Sequence, residues 1–244
     1  MKSTTVFVDI ETDGLRPDAN IIQVAAVAVI RGIITEHFER KIQFDPGVSN
    51  MVEPDALAAN CYNAFAWEME AVPEGQVLRE FAVFLGNHAT VQKVSKAGYS
   101  YKVARLAGYN IAEFDMPRLV ARYRALDIFF PADYQALDTL HLARWYFQAH
   151  PPWPANLQLG TLCAHFGIPT PDAHDAMGDV EATAALAAKL QQDVRRPAET
   201  LLAACKAALL NYDQMDAAGY SVPLMAETYG QLRAAIKAEE EHKC

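Results

Sequence analysis

Thr4-Thr5-Val6-Phe7-Val8-Asp9-Ile10-Glu11 is the stretch whose reading decides the fold. Its alternation puts Val6, Val8 and Ile10 on one face of a strand and Phe7, Asp9 and Glu11 on the other. At about 3.3 Å per residue, Asp9 and Glu11 stand roughly 6.6 Å apart along the chain, near enough to converge on one cation. Two carboxylates on an apolar strand need partners or a metal, because an uncompensated buried charge is costly. An Asp-x-Glu at a strand end also arises by accident, so the pair needs support from elsewhere in the chain.

Moving outward, the turn residues Asp13-Gly14 and Pro17-Asp18 precede two β-rich runs, residues 21–30 and 33–44, which flank Arg31-Gly32. That short Gly-bearing connection predicts an antiparallel hairpin, closed off by Pro46-Gly47. Helices are predicted over 54–60 and from Pro73-Glu74 to Gly86, the second carrying Val77, Leu78, Phe81, Phe84 and Leu85 at helical spacing. A strand over 104–109 leads to Asp115 and a helix over 117–126, and strands alternating with helices in this half predict parallel additions to the sheet. Further helices are expected over 156–166, ended by Gly167 and Pro169, and over 175–193, broken by Arg195-Arg196-Pro197. Beyond lie an Ala- and Leu-rich stripe at Glu199, Leu201, Leu202, Cys205 and Leu209, and another helix over 231–241. The chain therefore divides into residues 1–192 and a helical extension, 193–244.

Composition sets bounds on function. With 244 residues, 52% hydrophobic and 21% charged, the chain has the make-up of an ordinary globular protein. No basic leader with an apolar segment precedes Thr4, and the apolar residues 21–30 are too few to span a bilayer, so a soluble cytoplasmic protein is expected, with no membrane partner. Cys61, Cys163, Cys205 and Cys244 are too scattered for a disulfide framework and are read as free thiols. A net charge of −9 excludes coating of nucleic acid by bulk electrostatics. It leaves open an enzyme that grips one strand end through cations. No acid occurs over residues 81–112, which hold Lys93, Lys96, Lys102 and Arg105, or over 139–171, which hold His141, Arg144, His150 and His165. These spans are either a phosphate-facing side or solvated loops.

Two more carboxylate-bearing stretches stand out. In Gly108-Tyr109-Asn110-Ile111-Ala112-Glu113-Phe114-Asp115 a strand end turns into an acid at a helix start, where an Asp taken alone reads as an N-cap. In Ala173-His174-Asp175-Ala176-Met177-Gly178-Asp179 a His precedes a helix and an Asp lies one turn inside it. Each stretch is unremarkable by itself; the three in this order are specific.

Together they resemble the DEDDh 3′–5′ exonucleases, the DnaQ-like and ribonuclease T-like family. Asp9 to Leu15 is similar to the first motif, Gly108 to Asp115 to the second, and His174 to Asp179 to the third, with the H-x4-D spacing of the His-containing branch. Asp138-Thr139-Leu140 and residues 159–168 also resemble family segments, so the likeness covers about 4–192 and is greatest to the exonuclease I branch. The resemblance implies a ribonuclease H-like α/β fold: an antiparallel β1–β3 meander, further parallel strands, and helices on both faces. It implies hydrolysis of single-stranded DNA or RNA from 3′ ends, releasing nucleoside 5′-monophosphates. It implies two Mg²⁺ or Mn²⁺ ions, one held by Asp9, Glu11 and Asp179 and the other by Asp9 and Asp115. All-carboxylate ligation suits those hard ions and argues against zinc. His174 is then the base that prepares the attacking water, its ordinary pKa of roughly 6.5 suiting neutral pH. Thr12 and Leu15 would meet the terminal nucleotide, Leu15 against its base, with Asn110 as a further substrate contact.

Two departures from the family pattern follow. A chain of 244 residues has no space for the large accessory domains of exonuclease I, so high processivity is not expected. Gly178, read as a helix-interior residue, costs about 1 kcal/mol relative to Ala. A phosphodiesterase acting on short oligonucleotides and a catalytically silent binding module are the alternatives.

Overall fold

The structure is a computed structural model and describes residues 3–44, 53–59, 62–170, 175–217 and 230–237. The chain divides into two compact units, Met1–Leu190 and Gln191–Cys244.

The first unit is built on a five-stranded sheet in the order β3-β2-β1-β6-β7. Here β1 is Thr4–Thr12, β2 Ile21–Ile30, β3 Ile33–Lys41, β6 Arg105–Gly108 and β7 Leu137–Asp138. β1, β2 and β3 pair antiparallel, while β6 lies parallel to β1 and β7 parallel to β6. This is the mixed sheet that the sequence predicts. The β2–β3 turn uses Arg31 and Gly32, both at positive φ (56° and 79°), the backbone a two-residue hairpin requires.

Period-two alternation in β1 sorts the layers. Val6, Val8 and Ile10 enter the main core with α3 (Glu74–Asn87) and α4 (Asp115–Ala125), through Val77, Leu78, Phe81, Leu119 and Tyr123. On the opposite face Phe7, Ala25, Val27 and Ala107 pack against Ala176, Val180, Ala184 and Ala187 of α7 (Ala176–Ala217). Alanines on both sides let α7 approach this face of the sheet closely. A third cluster joins α5 (Thr139–Ala149), α6 (Leu159–Phe166) and α7 through Ala143, Phe147, Leu162, Leu186 and Leu190.

Several elements differ from expectation. α7 does not stop near residue 193 but continues through Arg195-Arg196-Pro197 to Ala217. A proline in a helix removes one backbone bond and costs about 3 kcal/mol; strong helix formers on both sides sustain the helix across it. A two-stranded sheet of β4 (Val91–Val94) and β5 (Ser100–Val103), the short helices α1 (Pro54–Ala59) and α2 (Ala64–Glu70), and β7 complete the unit. Of these only α1 was foreseen, because four-residue strands rich in Lys and Gln carry almost no periodic signal. In the second unit Arg233 pairs with Asp213, and Leu209 and Ile236 are buried. Among the described residues no helix is long and apolar enough to cross a membrane.

Candidate active site

Asp9 and Glu11 project from the face of β1 that α7 covers, at the end where β1 runs on past its last pairing with β6, Phe7↔Ala107. There the Ile10 N–H donates to Asp115 Oδ1 at 3.0 Å, so the carboxylate continues what the neighbouring strand no longer supplies. Asp115 is the first residue of α4, not its cap; Phe114 holds the cap position, and no side chain caps the helix. The cap expected for an isolated Asp is overridden by a long-range bond to β1.

The path from β6 to Asp115 is sterically set. A Cβ on Gly108 would stand 2.8 Å from the Val8 carbonyl oxygen and 2.9 Å from Ile111 Cβ, so only glycine lets the chain leave the sheet here. Asn110 follows at φ 56°, a left-handed conformation Asn tolerates, and its carbonyl accepts from the Glu113 and Phe114 N–H groups. Asp138, at the end of β7, fixes the other side of this loop. It accepts from Ala112 N at 3.1 Å while capping α5 through Leu140 N and His141 N.

Asp179 arrives from the first turn of α7. Asp175 caps that helix, its Oδ2 accepting from Gly178 N at 3.3 Å. Gly178 is therefore a buried first-turn residue, not a helix-interior one as the sequence suggested, and the rigidity penalty expected there is small.

The four acids act on one another. Burial, then Asp115, Glu11 and Asp179, hold the Asp9 carboxyl well above the usual range. Glu11 is pushed up to about 8, first by burial and then by Asp179, Asp115 and Asp175. Burial raises Asp115 to about 7, against the lowering effect of its backbone bonds and of Arg118. The structure thus places Asp9, Glu11, Asp115 and Asp179 within electrostatic reach of one another, with Asp9 half-buried. Among the described residues no group of three or more His, Cys, Asp or Glu side chains is placed closely enough to hold a metal ion as it stands. His174 lies outside the described residues.

The loop after β1 is held by residues the sequence did not single out. Asp13 is fully buried, taking the Asn20 N–H at 2.8 Å and its Nδ2 at 2.6 Å. Arg118, three residues after Asp115, sends Nη2 to the carbonyls of Leu15 (2.7 Å) and Arg16 (2.9 Å) and Nη1 to that of Phe114 (2.9 Å), with its guanidinium 3.8 Å from the Phe114 ring centroid. Its spacing from Asp115, one turn along α4, was the available signal. Thr12 is buried with its hydroxyl donating to the Gly14 carbonyl, whereas the Leu15 side chain is 74% exposed.

The profile of the RNase_T exonuclease family matches residues 6–187. The chain belongs to this exonuclease family. That family is the DnaQ-like 3′–5′ exonucleases. Relatives of this exonuclease include the PolC-type DNA polymerase III of Halalkalibacterium halodurans, 31% identical over 196 residues, which cover 79% of this chain and 12% of that one. The corresponding Bacillus subtilis protein is 29% identical over 194 residues, with the same coverage of 79% and 12%. The exonuclease therefore spans about an eighth of the length of these relatives. Among solved structures, E. coli exonuclease I in complex with a dT13 oligonucleotide superposes with a TM-score of 0.63 at 22% identity, covering 82% of this chain and 43% of that one. The zinc ion-bound form of the E. coli exonuclease I–single-stranded DNA complex gives 0.64 at 22% identity, covering 87% and 45%. These likenesses bear out the ribonuclease H-like fold.

Proposed function

We propose that the enzyme removes nucleotides from the 3′ ends of single-stranded DNA, releasing nucleoside 5′-monophosphates, with two Mg²⁺ or Mn²⁺ ions at the carboxylate cluster. The observation that carries this is the convergence of Asp9, Glu11, Asp115 and Asp179 in a chain of the exonuclease family. Single-stranded DNA is favoured because the structurally similar exonuclease I structures hold such oligonucleotides.

The residues fit divalent ions. The groups raising Asp9 and Glu11 besides burial are all carboxylates, an arrangement that opposes ionisation until cations arrive. The donors are hard oxygens, which suit Mg²⁺ and Mn²⁺. Asp9, Glu11 and Asp179 would hold one ion, and Asp9 with Asp115 the other. When bound, such ions would neutralise phosphate charge, supply a nucleophile near neutral pH and stabilise the leaving oxygen. Asp115 keeps Oδ2 for a ligand while Oδ1 stays on Ile10 N. His174, two positions before α7 begins at Ala176, would accept a proton from the attacking water at a ring nitrogen. Leu15 offers its exposed side chain to the terminal base from a loop that Thr12 and Arg118 hold, and Asn110 faces the strand from the other loop.

End-labelled DNA and RNA strands, with and without chelator, test this. Stepwise shortening from the 3′ end that needs Mg²⁺ and stops at a 3′-phosphate is expected, with DNA the faster substrate. Unchanged rates after chelation or 3′ blocking would overturn the proposal. A second reading, hydrolysis of short oligonucleotides, draws on the net charge of −9; turnover of a dinucleotide exceeding that of long strands would favour it.

A further inference from the structure

We propose that the outer face of α5 binds the single strand on the 5′ side of its terminal nucleotide, with Trp145 stacking on a base and Arg144 meeting a phosphate. This rests on the strand-end reading above and adds a surface to it.

The face is defined by helical spacing. His141, Arg144, Trp145 and Gln148 stand at i, i+3, i+4 and i+7 and are all exposed, Trp145 to 76%. A tryptophan left so far in water is an unspent apolar surface. The opposite face of the helix is fixed, since Ala143 and Phe147 are buried against Leu162, Leu186 and Leu190. Trp145 is thus presented from a rigid element, and stacking on it costs little ordering.

The face also begins beside the carboxylates. Asp138, which caps α5, pairs with Gly108 and accepts from Ala112 N, so the first turn of α5 is tied to the loop that delivers Asp115. Burial and the Asp138 carboxylate push up the hydroxyl of Tyr109, the residue after Gly108, and Arg144 is close enough to oppose them. At about 1.5 Å rise per residue, Trp145 lies roughly 6 Å along the helix from His141, so the stripe leads outward from the site.

Its charge suits a polyanion. In a chain of net charge −9, no acid occurs from Thr139 to Pro171, and among the described residues Arg144 has no carboxylate partner. A cation without a carboxylate partner among the described residues, next to an exposed indole, matches the two recurrent parts of single-strand sites, a phosphate contact and a base platform. A protein partner would find an apolar centre with a polar rim; here the one large apolar group is flanked by Arg144, His141 and Gln148.

The test is anisotropy binding of labelled dT8 and dT2 to the full chain, with Ca²⁺ replacing Mg²⁺ to keep the strands intact. Trp145→Ala and Arg144→Ala are each expected to weaken dT8 about tenfold and dT2 less than twofold, while Trp145→Phe retains most of the affinity. Salt should weaken dT8 binding less in Arg144→Ala than in the unaltered chain. Equal dT8 affinity in the alanine variants and the unaltered chain, or equal loss for dT8 and dT2, overturns the proposal. Hydrolysis of unblocked strands by the unaltered chain, followed in parallel with Mg²⁺, reports separately on the strand-end reading: its absence with intact Trp145-dependent dT8 binding would sink that reading alone.

Discussion

Asp115 Oδ1 accepts the Ile10 N–H at 3.0 Å, so the acid that begins α4 is bonded to the strand between Asp9 and Glu11. Structure and charge can be separated at this residue. Asp115→Asn keeps an acceptor for Ile10 and should fold normally while losing metal affinity. Asp115→Ala leaves a buried N–H unpaired and should lose about 1–3 kcal/mol as well. Urea denaturation and Mn²⁺ calorimetry on both variants check this; equal stability of the two would show that the Ile10 bond contributes nothing.

Raised carboxylate pKa values set a pH dependence of stability. Glu11 and Asp115 titrate at about 8 and about 7 in the folded chain, above their ordinary values of 4.5 and 3.8. The unfolded chain ionises first, so their stabilising contribution is complete below about pH 4 and disappears as pH rises through about 7 to 8. The chelated protein should therefore melt at progressively lower temperature from about pH 5 to 8.5, and Glu11→Gln should flatten the slope. A melting temperature that climbs across this range would contradict the cluster's electrostatics.

Metal binding must displace those protons. Apparent Mn²⁺ affinity should rise with pH by about tenfold per unit for each proton released, levelling off above the Glu11 value of about 8. Calorimetry in buffers of different ionisation enthalpy counts the protons, and zero release at pH 6.5 would show that the ions bind elsewhere.

Arg118 predicts a split between affinity and metal binding. Lysine cannot span the Leu15, Arg16 and Phe114 carbonyls that the guanidinium reaches. Arg118→Lys should raise KM for strand ends about tenfold by letting the Leu15 loop shift, a small part of what misplacement by about 1 Å can cost. Mn²⁺ affinity should hold within about twofold, since Asp9 and Glu11 sit on the sheet. Loss of metal binding instead would mean that Arg118 mainly sets the Asp115 carboxylate.

His174 and Asp9 are expected to fail differently. His174→Ala should bind Mn²⁺ and strand ends but turn over roughly 10²–10⁴-fold more slowly, and the rate should lose its rise with pH near the ordinary His range. Asp9→Ala should lose metal as well. Single-turnover rates across pH, beside calorimetry, distinguish them; full activity in His174→Ala would remove it from the chemistry.

The first strand and the helix packed beneath it were legible because each has a clean period: two in Thr4–Thr12, helical in Glu74–Asn87. The gathering of Asp9, Glu11, Asp115 and Asp179 was legible only through the order of three motifs, since each acid alone admits a local role. What stayed hidden depends on long-range geometry. Asp13, fully buried on Asn20, reads in sequence as an ordinary turn residue, and the clasp of Arg118 on Leu15 joins residues more than a hundred positions apart. Pro197 misled because local breaking was weighed without the helix-forming residues on either side.

The acids of the site come from β1, the start of α4 and the start of α7, three segments far apart in the chain. A nascent chain on the ribosome therefore carries Asp9, Glu11 and Asp115 long before Asp179 emerges. Until α7 has docked, the three earlier acids lack the fourth, so the proposed two-ion site is assembled only when the first unit folds as a whole.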